Sequence, residues 1–557
     1  MAAKARFGER ARPRSGLLVA SLATALLAGP PAAGSASPAS GGEARIIDQK
    51  RVTDRLLEIT IDTPAFVEPT KVHVFLPTGY RADRSRRWPV TYFTAGTMNN
   101  YNTFESFLDG QSLTRDYPSI LISPDSNSGY WSDWYNDGDF GPPMYETFVI
   151  DQLIPLIDAR FRTIPDRSHR AVFGISMGGY GSIMFAARHP DLFAAAATLS
   201  GAVDSNLPAN GAVLSASSTF DGAAADAIYG PRATQEVRWR GHNPTDLADN
   251  LRFLDLQVRT ANGVPNPAIG EGAGSGDLPS CVVEGGVHMA SVNLHAKLDA
   301  LGITHYWKDY GRGCHTAPNF RREVIDTLAV FEQVFADPPR RPTSFDYRSI
   351  EPRFTVWNWR VSADPERALE FLRLRSAGRT GVSLIGSGMT EVKTAPLFRH
   401  LRAVDVTIDG ATETVQPSRH GRLRFSVDLG GPHPDQQYTA ASQLAGQGTG
   451  AYFTTQAVTF APKARLKLRM RRADRDRVRV CAHALGAAIL NERISLFGAR
   501  KGRVATSGRF SHPIGRRCVR LSAIDGRRVQ AGPYAMRARG RDAFGHLVTA
   551  KRRVRIH

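Results

Sequence analysis

The fold is decided by residues 170–188, which read RAVFGISMGGYGSIMFAAR. An apolar run precedes Gly174 and a segment with helical periodicity follows Gly178, so the pattern Gly-x-Ser-x-Gly stands between a predicted strand and a predicted helix. A side chain at either glycine would collide with the neighbouring strand or helix, and the turn is expected to lift Ser176 clear of the backbone. The amide of Met177 would then face a negative charge that develops beside Ser176.

Short apolar strands alternate with helical stretches on both sides of this turn, from about residue 45 to residue 337. Strands are predicted at 88–93, 119–122, 171–173, 193–199, 254–258 and 305–307, and helices at 145–161, 178–188 and 287–298. This alternation is typical of a parallel sheet covered by helices. Together with the framed serine motif it predicts an α/β-hydrolase fold over residues 45–337.

A serine hydroxyl is a weak nucleophile until a base removes its proton. In this fold the order along the chain is serine, acid, histidine, and the histidine lies in the loop after the last strand. His315 lies in such a loop, GRGCHT at 311–316, and is the predicted base. The other candidates are expected to be packing or surface histidines; they are His242, His288, His295 and His305.

The acid is less constrained, because Glu284, Asp277, Asp309 and Asp255 all lie between the serine and the end of this region. Glu284 is preferred because Cys281 precedes it by three residues and Cys314 directly precedes His315. A Cys281–Cys314 disulfide would therefore hold acid and base together and restrict the histidine loop. Asp277 is the first alternative.

A second amide donor for the developing charge is expected from the loop TAGTM at 94–98, and the amide of Thr97 is the preferred group. The predicted chemistry needs neither a metal nor an organic cofactor. No C-x-x-C motif or compact His/Cys cluster is present that would indicate a metal site.

Four stretches of this region resemble the secreted mycolyltransferases of the antigen 85 complex. Residues 129–135 (GYWSDWY) resemble their YTDWY segment, residues 145–148 (YETF) resemble their WETF, and residues 174–179 and 199–201 match their serine turn and the strand beyond it. The resemblance covers roughly residues 50–335. It implies a catalytic triad of Ser176, Glu284 and His315, which agrees with the assignment from the residues.

Two departures from that family concern its sugar site. Its loop before the serine reads DGLR, whereas this chain has AGTM at 95–98, and its aromatic residue after the histidine is replaced here by Ala317 and Pro318. These differences argue against trehalose as the acceptor. They favour the broader esterase family of α/β-hydrolases, which also contains simple carboxylesterases.

The periodicity changes to two after a proline-rich linker at 336–344. Alternating apolar residues predict a β-sandwich domain at 343–462 and a second, immunoglobulin-like β-domain at 463–557. Cys481 and Cys518 each lie in or beside a predicted strand of the last domain. One disulfide in each half is the simplest pairing, and Cys481–Cys518 is expected to bridge two sheets.

The net charge of +19 comes from the last domain. Residues 463–557 hold 26 of the 71 Lys and Arg residues but only 5 of the 52 Asp and Glu residues. Such an asymmetry predicts an anionic partner surface. For an exported protein we expect a cell-wall polymer or a membrane surface and no nucleic acid.

The first 36 residues have the pattern of a signal peptide. Basic residues at 4–14 precede an apolar run at 17–28, and small residues follow at 32–36. The run is shorter than the roughly 20 residues needed to span a bilayer. We therefore expect a protein that is secreted or associated with the cell envelope, and an oxidising surrounding in which disulfides persist.

These observations predict an exported serine esterase that cleaves carboxylic esters through an acyl-enzyme on Ser176. A first alternative is an acyltransferase of the mycolyltransferase type, which moves an acyl chain to a sugar or glycolipid hydroxyl. A second is a wall-binding protein without catalytic activity, against which the intact serine motif argues.

Overall fold

The computed structural model describes residues 43–138, 141–272, 278–399, 401–447, 451–474, 477–498, 502–524 and 529–556. The predicted signal peptide and the alternative acid Asp277 lie outside the described residues. Within the described part, no helix has the length and apolar character needed to cross a membrane.

The first part of the chain forms a nine-stranded sheet. Its strands are β1 (Arg45–Arg51), β2 (Leu56–Asp62), β3 (Thr70–Phe75), β4 (Val90–Thr94), β5 (Ile120–Pro124), β6 (Arg170–Ile175), β7 (Ala195–Leu199), β8 (Asp255–Thr260) and β9 (Tyr306–Asp309). They are ordered β1-β2-β3-β5-β4-β6-β7-β8-β9, antiparallel from β1 through the β3–β5 pair and parallel from β5 onward. The predicted α/β architecture and its strands are confirmed.

Helices cover this sheet: α1 (Thr103–Ser106), α2 (Gly110–Leu113), α3 (Tyr145–Thr147), α4 (Ile154–Arg160), α5 (Met177–Arg188), α6 (Pro208–Ser217), α7 (Arg232–His242), α8 (Leu278–Ala300) and α9 (Ala317–Ala336). The helix predicted at 145–161 contains a π-helical segment, Phe148–Leu153, between α3 and α4. Helix α8 begins well before the predicted residue 287, so that it includes both Cys281 and Glu284.

Strands β4 to β7 are buried along their whole length, as their continuous apolar sequences require. Because β4, β6, β7 and β8 run parallel, their carboxyl ends meet at one edge of the sheet. The turn after β6 carries Ser176 to this edge, and α5 starts at the next residue. The position is the usual one for a ligand site in an α/β sheet.

Residues 344–462 form two antiparallel sheets around a shared apolar core. The six-stranded sheet has the order β10-β13-β14-β19-β16-β17 and the four-stranded sheet the order β11-β12-β15-β18. Their bounds are β10 (Ser344–Ser349), β11 (Arg353–Val356), β12 (Trp359–Ser362), β13 (Leu372–Gly378), β14 (Gly381–Gly386), β15 (Met389–Lys393), β16 (Val404–Ile408), β17 (Ala411–Val415), β18 (Arg424–Asp428) and β19 (Thr454–Pro462), with α10 (Ala440–Leu444) between the last two. The side chains of Val361 and Val427 from one sheet and Leu374 and Phe460 from the other are buried together.

The last part of the chain is an antiparallel sheet with its own apolar cluster. Its strands are β20 (Arg465–Asp474), β21 (Arg477–Leu485), β22 (Ile489–Gly498), β23 (Gly502–Thr506), β24 (Phe510–His512), β25 (Gly515–Ala523), β26 (Gly532–Asp542) and β27 (Leu547–Ile556). Cys481 and Cys518 form a disulfide, but they stand directly opposite each other on the paired strands β21 and β25. The bridge therefore lies within one sheet, which corrects the expected bridge between two sheets.

A buried guanidinium connects helix α5 to the β-sandwich. Arg188, at the end of α5, forms ion pairs of 2.7 Å with Glu146 and 2.8 Å with Glu351, and donates a hydrogen bond to the carbonyl of Gly241. The hydroxyl of Tyr347, in β10, donates to the Arg188 carbonyl at 2.6 Å. Burial alone would raise the pKa of Glu146, but Arg188 and His189 outweigh it and hold that pKa below its usual range. The boundaries of separately folding domains at 337–343 and 462–463 stay predictions.

Candidate active site

The turn that carries Ser176 has the strained backbone that its sequence predicts. Ser176 has φ 56° and ψ −124°, a conformation that is costly for a residue with a side chain. A Cβ on Gly178 would lie 1.9 Å from the carbonyl oxygen of Thr94, and one on Gly174 would lie 2.3 Å from the carbonyl oxygen of Gly178. Both glycines are therefore required by close packing between the end of β4 and the start of α5.

Glu284 and His315 are in direct contact. His315 Nδ1 donates a hydrogen bond to Glu284 Oε2 at 2.8 Å, and Glu284 is fully buried. The other carboxylate oxygen accepts hydrogen bonds from the Ala261 amide at 2.8 Å and from the Ser200 hydroxyl at 2.6 Å. Ala261 follows β8 and Ser200 follows β7, so the acid is fixed at the edge of the sheet next to the turn that carries Ser176.

Three contacts hold the loop that carries His315. The Cys281–Cys314 disulfide joins this loop to α8, and the His315 amide donates to the carbonyl of Ser280 at 3.1 Å. Buried Glu271 accepts hydrogen bonds from the Cys314 amide at 3.0 Å and from the Thr316 hydroxyl at 2.5 Å. Glu271 thus holds the residues on both sides of the histidine, a role that no sequence motif indicated.

The two atoms that would exchange a proton, the Ser176 hydroxyl oxygen and His315 Nε2, are not hydrogen-bonded to each other in the part of the chain that the structure describes. His315 Nε2 is buried and without a hydrogen bond, and the Ser176 hydroxyl likewise makes none. Since Nδ1 donates to the carboxylate, a neutral His315 carries its lone pair on Nε2. This is the tautomer that a general base requires.

The two predicted amide donors lie on two segments that contact each other, Thr97 in the loop after β4 and Met177 in the turn after β6. A Cβ on Gly96 would lie 3.2 Å from the Ser176 Cβ, which places the loop at 95–98 against the serine. Among the described residues, the amides of Thr97 and Met177 have no hydrogen-bond acceptor, whereas the Met98 amide donates to Ser128 Oγ. Two unpaired N–H groups beside a serine are the arrangement that stabilises an oxyanion.

A second buried carboxyl group, Glu323 of α9, lies behind Glu284. The Ser200 hydroxyl is 2.6 Å from Glu284 Oε1 and 3.0 Å from Glu323 Oε1. Burial and the charge of Glu284 raise the pKa of Glu323 well above its ordinary value. The raised pKa favours the protonated form of Glu323, which can donate to Ser200 while Ser200 donates to Glu284. Helix α9 contains three acidic residues, and in the sequence only the position of Glu323 on the same helix face as Phe320 and Val324 distinguishes it.

The alternative acids lie elsewhere or have other partners. Asp255 is the first residue of β8, at the opposite end of the strand from Ala261, and burial raises its pKa. Asp309 is more than a third exposed; it accepts a hydrogen bond from the Gly311 amide and lies 3.9 Å from His288.

The alternative histidines also have roles away from this edge. His242 is buried against the ring of Tyr229, and burial together with the charge of Arg188 lowers the pKa of His242 to about 3. His295 and His305 contact each other at 2.7 Å, and His295 lies eleven residues beyond Glu284 on α8. Eleven helical residues correspond to about 16 Å.

The segment at 129–135 packs against the serine turn and the loop after β4. The Tyr130 amide donates to Met177 Sδ at 3.3 Å, and Trp131 Nε1 donates to the Ala95 carbonyl at 3.1 Å. The hydroxyls of Ser132 and Tyr229 lie 2.5 Å apart. This stretch, one of the four that resemble the mycolyltransferases, thus contacts both the start of α5 and the loop that contains Thr97.

Comparison with known proteins gives a consistent result for this part of the chain. Residues 63–330 match the sequence model of the family described as "Putative esterase". The chain is 34% identical over 230 residues to esterase Rv1288 of Mycobacterium tuberculosis, which covers 40% of this chain and 49% of the relative. It is 29% identical over 226 residues to the diacylglycerol acyltransferase/mycolyltransferase Ag85B of Mycolicibacterium smegmatis, covering 38% of this chain and 61% of the relative.

Among solved structures, MPT51 of Mycobacterium tuberculosis aligns with a TM-score of 0.39 and 17% identity, over 50% of this chain and 97% of that one. The chain spans about half the length of the first curated relative. Residues 63–330 of this chain are therefore similar to proteins described as esterases and acyltransferases.

Proposed function

We propose that this protein is an exported serine esterase with Ser176 as nucleophile, His315 as base and Glu284 as the acid that orients the base. The observation that carries the proposal is the contact between His315 Nδ1 and the buried carboxylate of Glu284, at the sheet edge to which the strained turn brings Ser176. The match of residues 63–330 to the "Putative esterase" family model supports the same reaction class.

The reaction would begin when a bound ester brings the Ser176 hydroxyl within hydrogen-bond distance of His315 Nε2. The serine oxygen attacks the ester carbonyl carbon while its proton moves to Nε2, and the imidazolium is stabilised by Glu284. The amides of Met177 and Thr97 donate to the resulting oxyanion. The intermediate expels the alkoxide, which takes the proton from His315, and the acyl group remains on Ser176.

Water completes the cycle in an esterase. His315 takes a proton from the water molecule as its oxygen attacks the acyl carbon, and the Ser176 oxygen leaves and recovers that proton. The products are a carboxylic acid, an alcohol and free enzyme. Each proton passes through the same nitrogen, and this requires the orientation that Glu284 and Glu271 give to the histidine loop.

The test is hydrolysis of p-nitrophenyl butyrate by the wild type and by Ser176→Ala. We expect kcat/KM to fall at least about 1,000-fold, because the nucleophile is removed. Exposed Ser85 provides the matched control, and Ser85→Ala should be unchanged. A fluorophosphonate probe followed by mass spectrometry should label Ser176. Unchanged turnover in Ser176→Ala, or labelling at another serine, would overturn the proposal.

Acyl transfer is a second candidate, favoured by the likeness to Ag85B, whose name states a diacylglycerol acyltransferase and mycolyltransferase. The acyl-enzyme would then be attacked by a sugar or glycolipid hydroxyl in place of water. Product analysis with trehalose, glucose and glycerol as acceptors separates the two reactions. Hydrolysis alone, at acceptor concentrations that saturate Ag85B, would count against transfer.

Export is proposed for residues 1–36 as a cleaved signal peptide. The two disulfides support an oxidising location. Expression of the full chain in a bacterium with a Sec pathway, followed by N-terminal sequencing of the protein from the medium, should give a first residue near 37. A full-length protein retained in the cytoplasm would contradict this proposal.

The final β-sheet is proposed to bind an anionic wall polymer or membrane surface. Exposed cations face each other directly across paired strands: Arg479 is opposite Arg520, and Arg537 is opposite Lys551. None of these four side chains forms an ion pair with another described residue. Like charges in directly opposed positions destabilise a sheet, and a bound polyanion would relieve that repulsion.

Retention on immobilised dextran sulfate tests this surface. The double variant Arg537→Gln/Lys551→Gln should elute at lower salt than the wild type, whereas Arg84→Gln/Lys297→Gln, which removes two exposed cations from the first part of the chain, should elute close to it. Equal shifts for both double variants would show a response to net charge alone and would contradict a specific surface.

A further inference from the structure

We infer that His295, Asp299 and His305 form a binding site for a divalent transition-metal ion, separate from the proposed catalytic residues. One possible ligand atom from each of the three side chains lies within 4.8 Å of the other two. His295 and Asp299 are four residues apart on α8, so they share one face of the helix, and His305 lies just before β9.

The geometry of His305 is that of a metal ligand with its tautomer already fixed. Its Nδ1 donates a hydrogen bond to the carbonyl of Ile303 at 2.8 Å. The lone pair of a neutral His305 is therefore on Nε2, which accepts a hydrogen bond from His295 Nδ1 at 2.7 Å. An ion between these two nitrogens would take the place of that proton, which would leave for solvent or for His295 Nε2. A backbone carbonyl that orients a histidine in this way is the usual outer contact of a metal site.

The ring of His295 is also held in place. It stacks on Trp307 with a centroid distance of 4.5 Å and an interplanar angle of 1°. Two nitrogen ligands on a tetrahedral ion are separated by about 3.3 Å when each bond is about 2.0 Å. The two imidazoles therefore need to separate by only about 0.6 Å to admit the ion.

Asp299 would complete the set of protein ligands. In the structure its carboxylate oxygen lies 3.6 Å from His295 Nε2, the ring nitrogen that does not face His305. The Asp299 side chain is 62% exposed, so it can rotate toward an ion held between His295 Nδ1 and His305 Nε2. Two imidazoles and one carboxylate suit Zn²⁺, Ni²⁺ or Cu²⁺ better than Mg²⁺ or Ca²⁺, which prefer oxygen ligands throughout. Three protein ligands on a tetrahedral ion leave the fourth coordination position for water.

Bound metal would join α8 to the segment that leads into the edge strand β9. The site shares no residue with the turn at Ser176 or the loop at His315. The inference therefore does not rest on the proposed function, and its test measures binding and thermal stability.

The experiment is isothermal titration of the full chain, without a polyhistidine tag, with Zn²⁺ alone. We expect one ion per chain and an increase in Tm on binding. His305→Ala should weaken binding at least about tenfold and remove the Tm increase, and the exposed substitution Asp299→Asn should weaken it without affecting the fold.

Two controls exclude other sites. His169→Ala removes a histidine that pairs with Asp166 on the surface, and His315→Ala removes the proposed catalytic base; both should retain the Zn²⁺ affinity of the wild type. Absence of Zn²⁺ binding would overturn the inference. So would an affinity that survives both His305→Ala and Asp299→Asn, or one that is lost in His315→Ala.

Discussion

The carboxyl edge of the first sheet and the surface of the last sheet use charge in opposite ways. At the first, Glu284 and Glu271 are buried, and donors from several parts of the chain occupy their oxygens. At the second, Arg479 and Arg520 face each other in the open with no described counter-ion. The buried and fully paired carboxylates fix the orientation of the His315 imidazole. The unpaired surface cations remain available to interact with an anionic partner. The first arrangement serves chemistry and the second suits association.

Among the predicted changes that leave the proposed triad in place, a substitution at Gly178 should have the largest effect on the activity of the first region, because it disrupts the packing of β4 against α5 at the turn that carries Ser176. In Gly178→Ala the new methyl group would lie 1.9 Å from the Thr94 carbonyl oxygen, so β4 and α5 must separate. We expect ester hydrolysis to fall at least about 100-fold, because the Met177 amide leaves its position, and the free energy of unfolding to fall by about 1–3 kcal/mol. Gly141→Ala is the control, since nothing lies within 4 Å of its Cβ position.

The two disulfides allow the two regions to be tested separately, because Cys281–Cys314 lies at the histidine loop and Cys481–Cys518 lies in the last sheet. The double variant Cys281→Ala/Cys314→Ala should lose about 3–4 kcal/mol of stability and lower kcat about tenfold, as the histidine loop is released. Cys481→Ala/Cys518→Ala should destabilise the last sheet and leave kcat within about twofold. Chemical denaturation and ester kinetics measure both effects. If both double variants lost kcat equally, the Cys281–Cys314 disulfide would have no special role in holding the histidine loop.

Glu323 predicts a pH dependence of stability. Its folded-state pKa is raised, so the stability it contributes is complete below the unfolded value of about 4.3 and is lost as the pH rises toward the folded pKa. Glu323→Gln is neutral at every pH and keeps an N–H donor for Ser200. As the pH rises from 4 to 8, the free energy of unfolding of Glu323→Gln should increase relative to that of the wild type by about 1 kcal/mol or more, with kcat nearly unchanged. A constant difference would contradict a protonated Glu323.

The smallest effect is expected on the last sheet. Arg520→Thr removes one member of the Arg479–Arg520 pair and should raise the free energy of unfolding by about 0.2–1 kcal/mol at low salt. The gain should diminish as salt screens the repulsion. Arg465→Thr, whose opposite residue is Leu485, removes the same charge without a facing cation and should give no gain.

Much of the first region could be predicted because its constraints are local in sequence. Gly174, Ser176 and Gly178 fix the turn within five residues, and the adjacency of Cys314 and His315 relates the base to Cys281 and thus to Glu284. The positions of six of its nine strands along the chain, β4 to β9, followed from the alternating periodicity. These patterns need no knowledge of distant contacts.

The remaining features depend on contacts between residues far apart in sequence. Glu271 and Glu323 reach the histidine loop and Glu284 through folding, and neither belongs to a motif. His295 and His305 are ten residues apart, and a helix end brings their rings together. The Cys481–Cys518 bridge was expected between sheets, because alternation predicts strands without saying which of them are neighbours; the register of β21 and β25 decides it.

The ion pairs of Arg188 have a consequence for anyone who wishes to shorten this protein. Excising the α/β part alone, at about residue 337, would remove Glu351 and Tyr347 from the far end of the helix whose first residue is Met177. The Glu146–Arg188 pair would then open to solvent at the cut face. A truncated protein should instead retain the residues through about 462, so that the β-sandwich keeps its contacts with the end of α5.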